Sequence, residues 1–465
     1  MKELTLEQIA RFAGGQLVGD KDCRVTGVSI DTRTLSPGDL YIPFLGERLD
    51  GHRFIDQAFV KGARCSFIDR KHPKPQGQNL IVVEDTLLAL QRLAKNYRAS
   101  LPVRTIGITG SNGKTTTKDI LHSVLKQHYR TQKTLGNLNN EIGVPLTLLK
   151  LNPDTEVGIV EMGMDNFHQI DRLSDMAQPE MAVITNVGDV HLEWLKTREN
   201  VAKAKLEITH PMDSSGIFFY NGDDSTLNTV IPRTEMAPKI VSYGCGSQCD
   251  HRIKLLSSNA GGNRFLLDGK EWTVNLVGGY QMYNAAVAIL MAEKLGVSEQ
   301  EIQRGLQVNE LTAMRTELMH CDGFDILVDC YKSNPQSVLE ALHTVELLSG
   351  YKKRIAILGD MLELGEQEEE LHREIGRALK PEVFSDVLFF GDLSKAMMEG
   401  ALEHFTPDHV FHFTSKADLI DRAKYLIESS SLVLVKASRA LRLEEVVEGI
   451  RTITARPYRH CIHES

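Results

Sequence analysis

The chain has 465 residues, of which 42% are apolar and 25% are charged, a composition typical of folded globular proteins. This composition argues against a disordered, collagen-like or coiled-coil chain. At about 150 residues per domain, the length predicts three domains. Lys and Arg number 53 against 62 Asp and Glu, so the net charge is −9, and without a long basic run we expect no nucleic-acid partner.

The N-terminus and the cysteines indicate the compartment. Acidic residues interrupt positions 1–8 and no run of about 18 apolar residues occurs, so we expect neither a signal peptide nor insertion into a membrane. The seven cysteines are odd in number and scattered, which is typical of reduced thiols. Cys245, Cys249 and His251 suggest a metal clip, but no second pair stands at ligand spacing, and incidental cysteines are favoured. We therefore expect a cytoplasmic protein, acting as a monomer.

Residues 1–101 predict a small α/β domain that binds a substrate. Strand-like runs and helical patterns alternate, with strands at 25–30, 40–44 and 80–83 and helices at 4–13 and 86–97. The polar loops carry side chains suited to phosphate, sugar or base: Ser29, Asp31, Thr32, Arg33, Arg48 and His52. The same residues also suit ordinary turns, so the residues alone leave both interpretations open.

The remaining chain predicts two further α/β domains, 102–312 and 313–465. In the first, a strand at 103–109 leads through a Gly-rich turn into a helix that reaches about residue 128. Strands at 157–161 and 181–185 follow, alternating with helical stretches such as 200–208. In the second domain the predicted strands lie at 324–329, 354–358, 386–390 and 432–436, a Rossmann-like pattern.

The Gly-rich turn predicts a phosphate-binding loop. Glycines allow backbone N–H groups to surround phosphate at a helix N-terminus, Lys114 can neutralise the β- and γ-phosphates, and the Thr115 hydroxyl can bind Mg²⁺. The loop is a variant, because Ile108 stands where the usual spacing has its first glycine. The predicted nucleotide-binding residues here are Gly110, Ser111, Asn112, Gly113, Lys114, Thr115 and Thr116.

Two residues that follow later strands are candidate metal ligands. Glu161 ends the strand at 157–161, and a Mg²⁺ held by a hydroxyl and phosphates usually needs such a carboxylate. His191 follows the strand at 181–185 and is therefore expected at the same edge of the sheet. A strand-end surface glutamate and a structural histidine are the alternatives.

Four segments resemble the Mur ligase family, and the resemblance covers nearly the whole chain. They are 107–115, 134–146, 161–164 and 358–365. The resemblance implies an ATP-dependent ligase in cell-wall peptidoglycan synthesis, in which a substrate carboxylate attacks the γ-phosphate and an amine then displaces phosphate from the acyl phosphate. It implies a UDP-N-acetylmuramoyl-tripeptide as the acyl substrate and D-alanyl-D-alanine as the amine.

The resemblance also assigns roles to residues that pattern alone leaves as surface or turn positions. It implies two Mg²⁺ ions, one on Thr115 and Glu161 and one on His191 and a carbamoylated Lys205. It implies that Lys114, His191 and Lys205 are catalytic, and that Asn284, Arg315 and Asp329 contact the nucleotide. The implied substrate contacts, besides the N-terminal loops, are Asn137, Asn140, Tyr331, Asn334, Lys436, Ser438 and Arg439.

The chain departs from the family pattern at several positions, which belong to the nucleotide hinge and to the substrate-facing C-terminal domain, where specificity is set. They are Tyr280 and Gln281 before Asn284, Lys332 and Ser333 after Tyr331, and Ala437 and Ala440 near Ser438. A Mur-type ligase with a different amine or acyl substrate is therefore an alternative. A nucleotide-hydrolysing switch is a second, and a dinucleotide oxidoreductase is disfavoured because no Gly-x-Gly-x-x-Gly opens the C-terminal domain.

Overall fold

The structure is a computed structural model that describes residues 1–46, 49–308, 312 and 316–456. The predicted site residues Arg48 and Arg315 lie outside the described residues. Within these ranges the chain forms three α/β units, each arranged around its own main sheet.

The N-terminal unit carries a five-stranded sheet in the order β2-β7-β6-β5-β4. The strands from β4 to β7 are paired in parallel, so their carboxyl ends lie at one edge. The first helix begins at a capping box of Thr5 and Gln8 and ends at Gly14, whose φ of +69° suits glycine. The strands are Leu4–Thr5 (β1), Gln16–Val18 (β2), Arg24–Val25 (β3), Gly27–Ser29 (β4), Asp39–Tyr41 (β5), Cys65–Asp69 (β6) and Leu80–Val83 (β7), and the helices are Leu6–Ala13 (α1), Ile55–Val60 (α2) and Thr86–Ala99 (α3).

The central unit carries a nine-stranded sheet in the order β16-β15-β14-β13-β12-β11-β8-β10-β9. Its strands are parallel from β9 to β14, and two antiparallel hairpins extend it to β16. The strands are Arg104–Thr109 (β8), Thr131–Lys133 (β9), Val157–Glu161 (β10), Met181–Ile184 (β11), Ile217–Asn221 (β12), Lys239–Gly244 (β13), His251–Asn259 (β14), Gly262–Leu267 (β15) and Lys270–Val274 (β16). The helices are Lys114–Leu125 (α4), Gly143–Leu149 (α5), Gln169–Ala177 (α6), Leu192–Leu195 (α7), Arg198–Leu206 (α8), Ser225–Val230 (α9), Gln281–Lys294 (α10) and Glu299–Gln307 (α11).

Two packed layers hold the central sheet. Helix α4 packs against α10 and α11 on one face, where Ile120, Leu121 and Val124 join a buried cluster with the alanine-rich α10. On the other face, α3 of the N-terminal unit packs against α5 and α6, so the two units share one apolar core. This burial fixes the N-terminal unit on the central sheet.

The C-terminal unit is a six-stranded sheet in the order β17-β18-β22-β19-β20-β21, parallel except for β17. Helix α12 begins at a capping box in which Asn334 accepts from the backbone of Ser337, and Pro335 occupies its first turn. The strands are Glu317–His320 (β17), Phe324–Asp329 (β18), Lys353–Gly359 (β19), Asp386–Phe390 (β20), Val410–Phe413 (β21) and Ser431–Lys436 (β22), and the helices are Pro335–Leu347 (α12), Glu368–Ala378 (α13), Ser394–Ala401 (α14), Lys416–Leu426 (α15) and Glu444–Ile450 (α16).

The predicted fold class, a three-domain α/β protein, is confirmed. Strands predicted from apolar runs are found at the same positions where both faces are buried, as in β7, β10, β18 and β20. The antiparallel extension β14 to β16 was not predicted, because its partly exposed strands alternate apolar and polar residues weakly. Among the described residues, no helix has both the length and the apolar character needed to cross a membrane.

Candidate active site

The phosphate-binding loop joins β8 to α4. Gly113 caps α4 with a φ of +79°, and a Cβ on Gly110 would collide with the Thr185 hydroxyl, so neither position accepts another residue without strain. The loop therefore brings its backbone to the helix N-terminus, where free N–H groups and the helix dipole favour an anion.

The segment after β11 holds this loop in shape. The Thr185 hydroxyl donates to the Asn112 carbonyl at 2.5 Å, and the Asn112 N–H donates to the Asn186 side chain at 2.9 Å. The Gly188 N–H donates to the Ser111 hydroxyl at 2.8 Å. The loop is thus preorganised, and Thr185 and Asn186 are site residues that sequence reasoning missed.

A cavity of about 390 Å³ lies at the carboxyl ends of the central strands and is closed by the C-terminal unit. Most of the predicted site residues outside the N-terminal unit line this cavity. They are Ser111, Asn112, Gly113, Lys114, Thr115, Thr116, Asn140, Glu161, His191, Lys205, Asp329, Tyr331 and Lys436. Lys332 lines it as well. Asn284 lies in an adjoining cavity of about 240 Å³ with Gly113 and Tyr283.

Lys114 bends back over the loop. Its ammonium donates to the Gly110 carbonyl at 2.5 Å and to the Ser111 carbonyl at 3.3 Å. These carbonyls hold the positive charge above the N-terminus of α4, where the free N–H groups also favour an anion.

Glu161 is 1% exposed and is held from both sides. Its Oε1 accepts from the Asn139 side chain at 2.8 Å, and its Oε2 lies 3.3 Å from Lys118 Nζ without accepting a hydrogen bond. Lys118 and Asn139 were not predicted. Lys118 follows Lys114 by one helical turn, and this i, i+4 spacing on a helix that starts at a phosphate loop was the available signal.

His191 adopts a left-handed backbone, with φ of +55°, at the start of α7. Such strain in a residue other than glycine is typical of functional positions. Its Nδ1 lies 3.0 Å from Glu363 Oε2, and its Nε2 lies 3.5 Å from Lys332 Nζ. Burial lowers the pKa of His191, although Glu363 acts against that shift.

Lys205 is 2% exposed and reaches the cavity from α8. Within the described ranges its ammonium makes no hydrogen bond or ion pair. Burial, followed by the charges of Lys114 and Lys332, holds the pKa of Lys205 well below its usual value. Burial and these two cations therefore both favour the uncharged form of the Lys205 amine.

The central and C-terminal units meet through a reciprocal pair of amides. Asn334 Nδ2 donates to Asn112 Oδ1 at 2.7 Å, and Asn112 Nδ2 donates to Asn334 Oδ1 at 3.2 Å. Tyr280 adds a second contact, 2.5 Å from its hydroxyl to that of Thr316. Lys436, 1% exposed, donates to Asp329 Oδ2 at 2.8 Å and so fixes the end of β18 at the cavity.

Some predicted residues hold local structure instead of lining the main cavity. The Ser438 hydroxyl donates to the Asp360 carbonyl at 2.8 Å, and Arg439 pairs with Glu444 at 2.7 Å. Asn137 is exposed in the turn before α5. Gln281, one of the departures, accepts from the Asn284 side chain at 2.8 Å and positions it.

The predicted N-terminal residues lie together at the carboxyl edge of their own sheet, and among the described residues none of them lines the main cavity. The Arg33 guanidinium binds the Asp31 carboxylate at 2.6 Å, and this hydrogen bond lowers the pKa of Asp31 to about 2. Ser29 and Thr32 bond to nearby loop and helix groups. His52 stacks on His72 with ring centres 3.9 Å apart.

Glu340, on α12, faces both cavities, and burial raises its pKa to about 7. When the pKa of a carboxyl group is higher in the folded than in the unfolded protein, the free energy of unfolding falls as the pH rises between the two values, here from about 4.5 to about 7. Glu340→Gln is therefore expected to raise the free energy of unfolding by about 1–3 kcal/mol near pH 8 and little near pH 5. Denaturant unfolding of the parent and of Glu340→Gln, between about pH 5 and pH 8, measures this difference in the free energy of unfolding. A difference independent of pH would contradict the assignment.

The comparisons with known proteins agree with this arrangement. The Mur ligase middle domain matches residues 108–292, the Mur ligase glutamate ligase domain matches 314–439, and the Mur ligase family catalytic domain matches 24–98. The UDP-N-acetylmuramoyl-tripeptide–D-alanyl-D-alanine ligase of Bacillus subtilis (strain 168) is 40% identical over 456 residues, covering 97% of this chain and 99% of the relative.

Solved structures show the same likeness. Crystal structure I of MurF from Acinetobacter baumannii matches with a TM-score of 0.88 and 26% identity, covering 97% of this chain and 99% of that one. MurF ligase from Thermotoga maritima in complex with ADP matches with a TM-score of 0.81 and 28% identity, covering 92% and 97% of the two chains.

Proposed function

The chain belongs to the Mur ligase family, and from this premise we propose that it joins D-alanyl-D-alanine to a UDP-N-acetylmuramoyl-tripeptide, consuming ATP. The named relatives over nearly the full length support these substrates. The observation that carries the proposal is the convergence of a phosphate-binding loop with Glu161, His191 and Lys205 in one cavity. A nucleotide alone would not need the C-terminal residues that close this cavity.

The reaction runs in two steps. The peptide carboxylate attacks the γ-phosphorus of ATP, which forms an acyl phosphate and releases ADP. The dipeptide amine then attacks the acyl carbon, and the tetrahedral intermediate expels phosphate as the amide forms and the amine loses a proton. Because phosphoryl transfer depends mainly on positioning and electrostatics, the loop N–H groups and Lys114 bind the phosphates and offset their charge.

A magnesium ion fits the Thr115 and Glu161 pair. Both side chains are 1% exposed and line the cavity, and Glu161 Oε2 has no hydrogen bond to satisfy it. Oxygen ligands of this kind suit Mg²⁺, which would neutralise phosphate charge when bound. Asn139 and Lys118 orient the carboxylate in advance.

We propose that Lys205 is carbamoylated. An uncharged buried amine attacks CO₂, a new N–C bond forms, and one proton is released to solvent, leaving a carbamate anion. The support is the burial of Lys205 among cations with no carboxylate partner in the described chain. With His191, such an anion would form the second metal position expected from the family.

Product analysis tests the proposed function. Incubation with ATP, Mg²⁺, UDP-N-acetylmuramoyl-tripeptide and D-alanyl-D-alanine is expected to give the UDP-linked pentapeptide by mass spectrometry. Phosphate release should require both organic substrates together. Strong ATP hydrolysis without them would favour a nucleotide switch, and a product only with other amines would favour a ligase of different specificity.

We propose that the N-terminal loops bind the uridine nucleotide, as the resemblance implies. Arg33→Ala is expected to raise the KM for the UDP-peptide about 10-fold, because one charge-assisted contact is lost, while the KM for ATP stays within about twofold. Arg53→Ala, at an exposed arginine beside His52, is the control. A rise in the KM for ATP instead would mean that this domain has been misassigned.

We further propose a cytoplasmic monomer. A reaction that consumes ATP and a UDP-linked precursor belongs where nucleotides are made, and one chain supplies all the cavity residues named above.

A further inference from the structure

Glu340 lies on α12 and lines both the main cavity and the smaller cavity beside it. Gln336, one helical turn earlier on the same face, lines the smaller cavity, and Ser337 lines the main one. Asn334 caps the helix and Pro335 occupies its first turn, so the backbone that carries Glu340 is well defined. Helix α12 thus presents Glu340 to the space that the central and C-terminal units enclose together.

The carboxyl group of Glu340 has unused capacity to accept hydrogen bonds. Its Oε1 accepts from Gln336 Nε2 at 3.2 Å, and no other hydrogen bond to this carboxyl is found among the described residues. Burial raises its pKa to about 7; Lys436 and the Gln336 bond act against that shift, and Asp329 adds to it. A carboxyl group that ionises near neutral pH at a cost in stability is typical of a functional position.

The phosphate-binding loop borders both cavities, through Asn112 and Gly113. A nucleotide held there by its phosphates therefore extends in two directions. Its terminal phosphate points into the main cavity, where Glu161, His191 and Lys205 lie, and its nucleoside occupies the smaller cavity of about 240 Å³. Because the sugar joins the base to the phosphates, it lies where the two cavities meet.

Four of the described residues line both cavities and so surround this junction: Asn112, Gly113, Tyr280 and Glu340. Among these four, only Glu340 has a carboxyl group. A carboxylate accepts hydrogen bonds from the hydroxyl groups of a ribose, as acidic residues do in dinucleotide-binding folds. The unused oxygen positions of Glu340 therefore match the sugar of the nucleotide.

We propose that Glu340 accepts a hydrogen bond from a ribose hydroxyl of the bound nucleotide and favours ribonucleotides over their deoxy analogues. The resemblance implies a nucleotide contact at Asp329 but no role for Glu340, which is a second acidic group at the sugar. Because α12 belongs to the C-terminal unit, this bond also joins that unit to a nucleotide held by the central unit. The inference rests on the ATP site of the proposed function.

Calorimetric binding of ADP and of its 2′-deoxy and 3′-deoxy analogues, with Mg²⁺ near pH 8, tests the inference. We expect the parent to bind ADP about 10-fold more tightly than at least one analogue, since that analogue lacks a charge-assisted hydrogen bond. Glu340→Ala should weaken ADP binding about 10-fold, while the Kd of that same analogue changes by less than about twofold. Glu374→Ala, at an exposed glutamate on α13, is the control and should match the parent for all three ligands.

Equal affinity of the parent for ADP and both analogues would overturn the inference without any variant. An equal loss of all three ligands in Glu340→Ala, unchanged ADP binding there, or the same loss in Glu374→Ala would also overturn it. If thermal melting shows that Glu340→Ala is unfolded, Glu340→Met, which fills the space without an acceptor oxygen, decides by the same comparison.

The pentapeptide assay on the same preparations is independent, since ADP binding needs neither the peptide nor the amine. A parent that makes product but binds ADP and both analogues equally refutes only the role of Glu340. A parent that makes no product refutes the proposed function.

Discussion

Lys114→Ala is expected to lower kcat roughly 10²–10³-fold, a loss of about 2.7–4 kcal/mol of transition-state stabilisation. The ammonium lies over the loop carbonyls at the N-terminus of α4, where the transferred phosphoryl group gathers negative charge. Binding of ATP should weaken less than turnover, because the charge grows in the transition state. Single-turnover kinetics together with calorimetric ATP binding measure the two effects.

Lys126→Ala is the control for this variant, since Lys126 lies at the opposite end of the same helix. It should retain turnover within about twofold of the parent, as expected for a residue remote from the phosphates. Turnover of Lys114→Ala within about tenfold of the parent would contradict the assigned role. An equal loss in ATP affinity and turnover would mean that Lys114 serves binding alone.

Lys205→Ala is expected to lose activity on the order of 10²–10³-fold and to regain part of it with acetate or formate. The shortened side chain leaves space in the cavity beside His191, and a small carboxylate can supply the missing anion there. Steady-state rates measured against acetate concentration follow the rescue. The parent, kept in ¹³C-bicarbonate, should show a carbamate carbon signal by NMR that the variant lacks.

The neighbouring Lys203→Ala gives a matched comparison. Lys203 lies on the same helix two residues earlier but is exposed, so it should show parent-like activity, no rescue and an intact carbamate signal. Near-normal activity of Lys205→Ala, or equal stimulation of both variants by acetate, would refute carbamoylation of Lys205.

Sequence patterns predicted the structural features that depend on residues close together in the chain. The phosphate loop was recognisable because Gly113-Lys114-Thr115 follows an apolar strand and opens a helix, and the structure has that arrangement. Glu161 was found in the same way, at the end of a strand with every residue buried. Sheet topology brings such strand ends to one edge, so their convergence follows from the fold.

Contacts between distant segments could not be predicted in this way. The i, i+4 spacing places Lys118 one turn after Lys114, but it does not show that Lys118 and Asn139 contact Glu161. Those contacts form because α4 and the turn before α5 meet at β10. The pairing of Asn112 with Asn334 joins residues 222 positions apart. The Ser438 hydroxyl bonds to the Asp360 carbonyl, a partner that only the tertiary structure reveals, and its contact with substrate stays a prediction.

The reciprocal amide pair between Asn112 and Asn334 also bears on how readily the C-terminal unit can separate from the central unit. Each side chain donates to and accepts from the other, so separation leaves matched groups that water satisfies at once, at a net cost of about 1 kcal/mol per hydrogen bond. Such a pair orients the two units relative to each other at this contact and still allows them to separate. Since Asn112 belongs to the phosphate-binding loop and Asn334 caps α12, the pair links that loop directly to the first helix of the C-terminal unit.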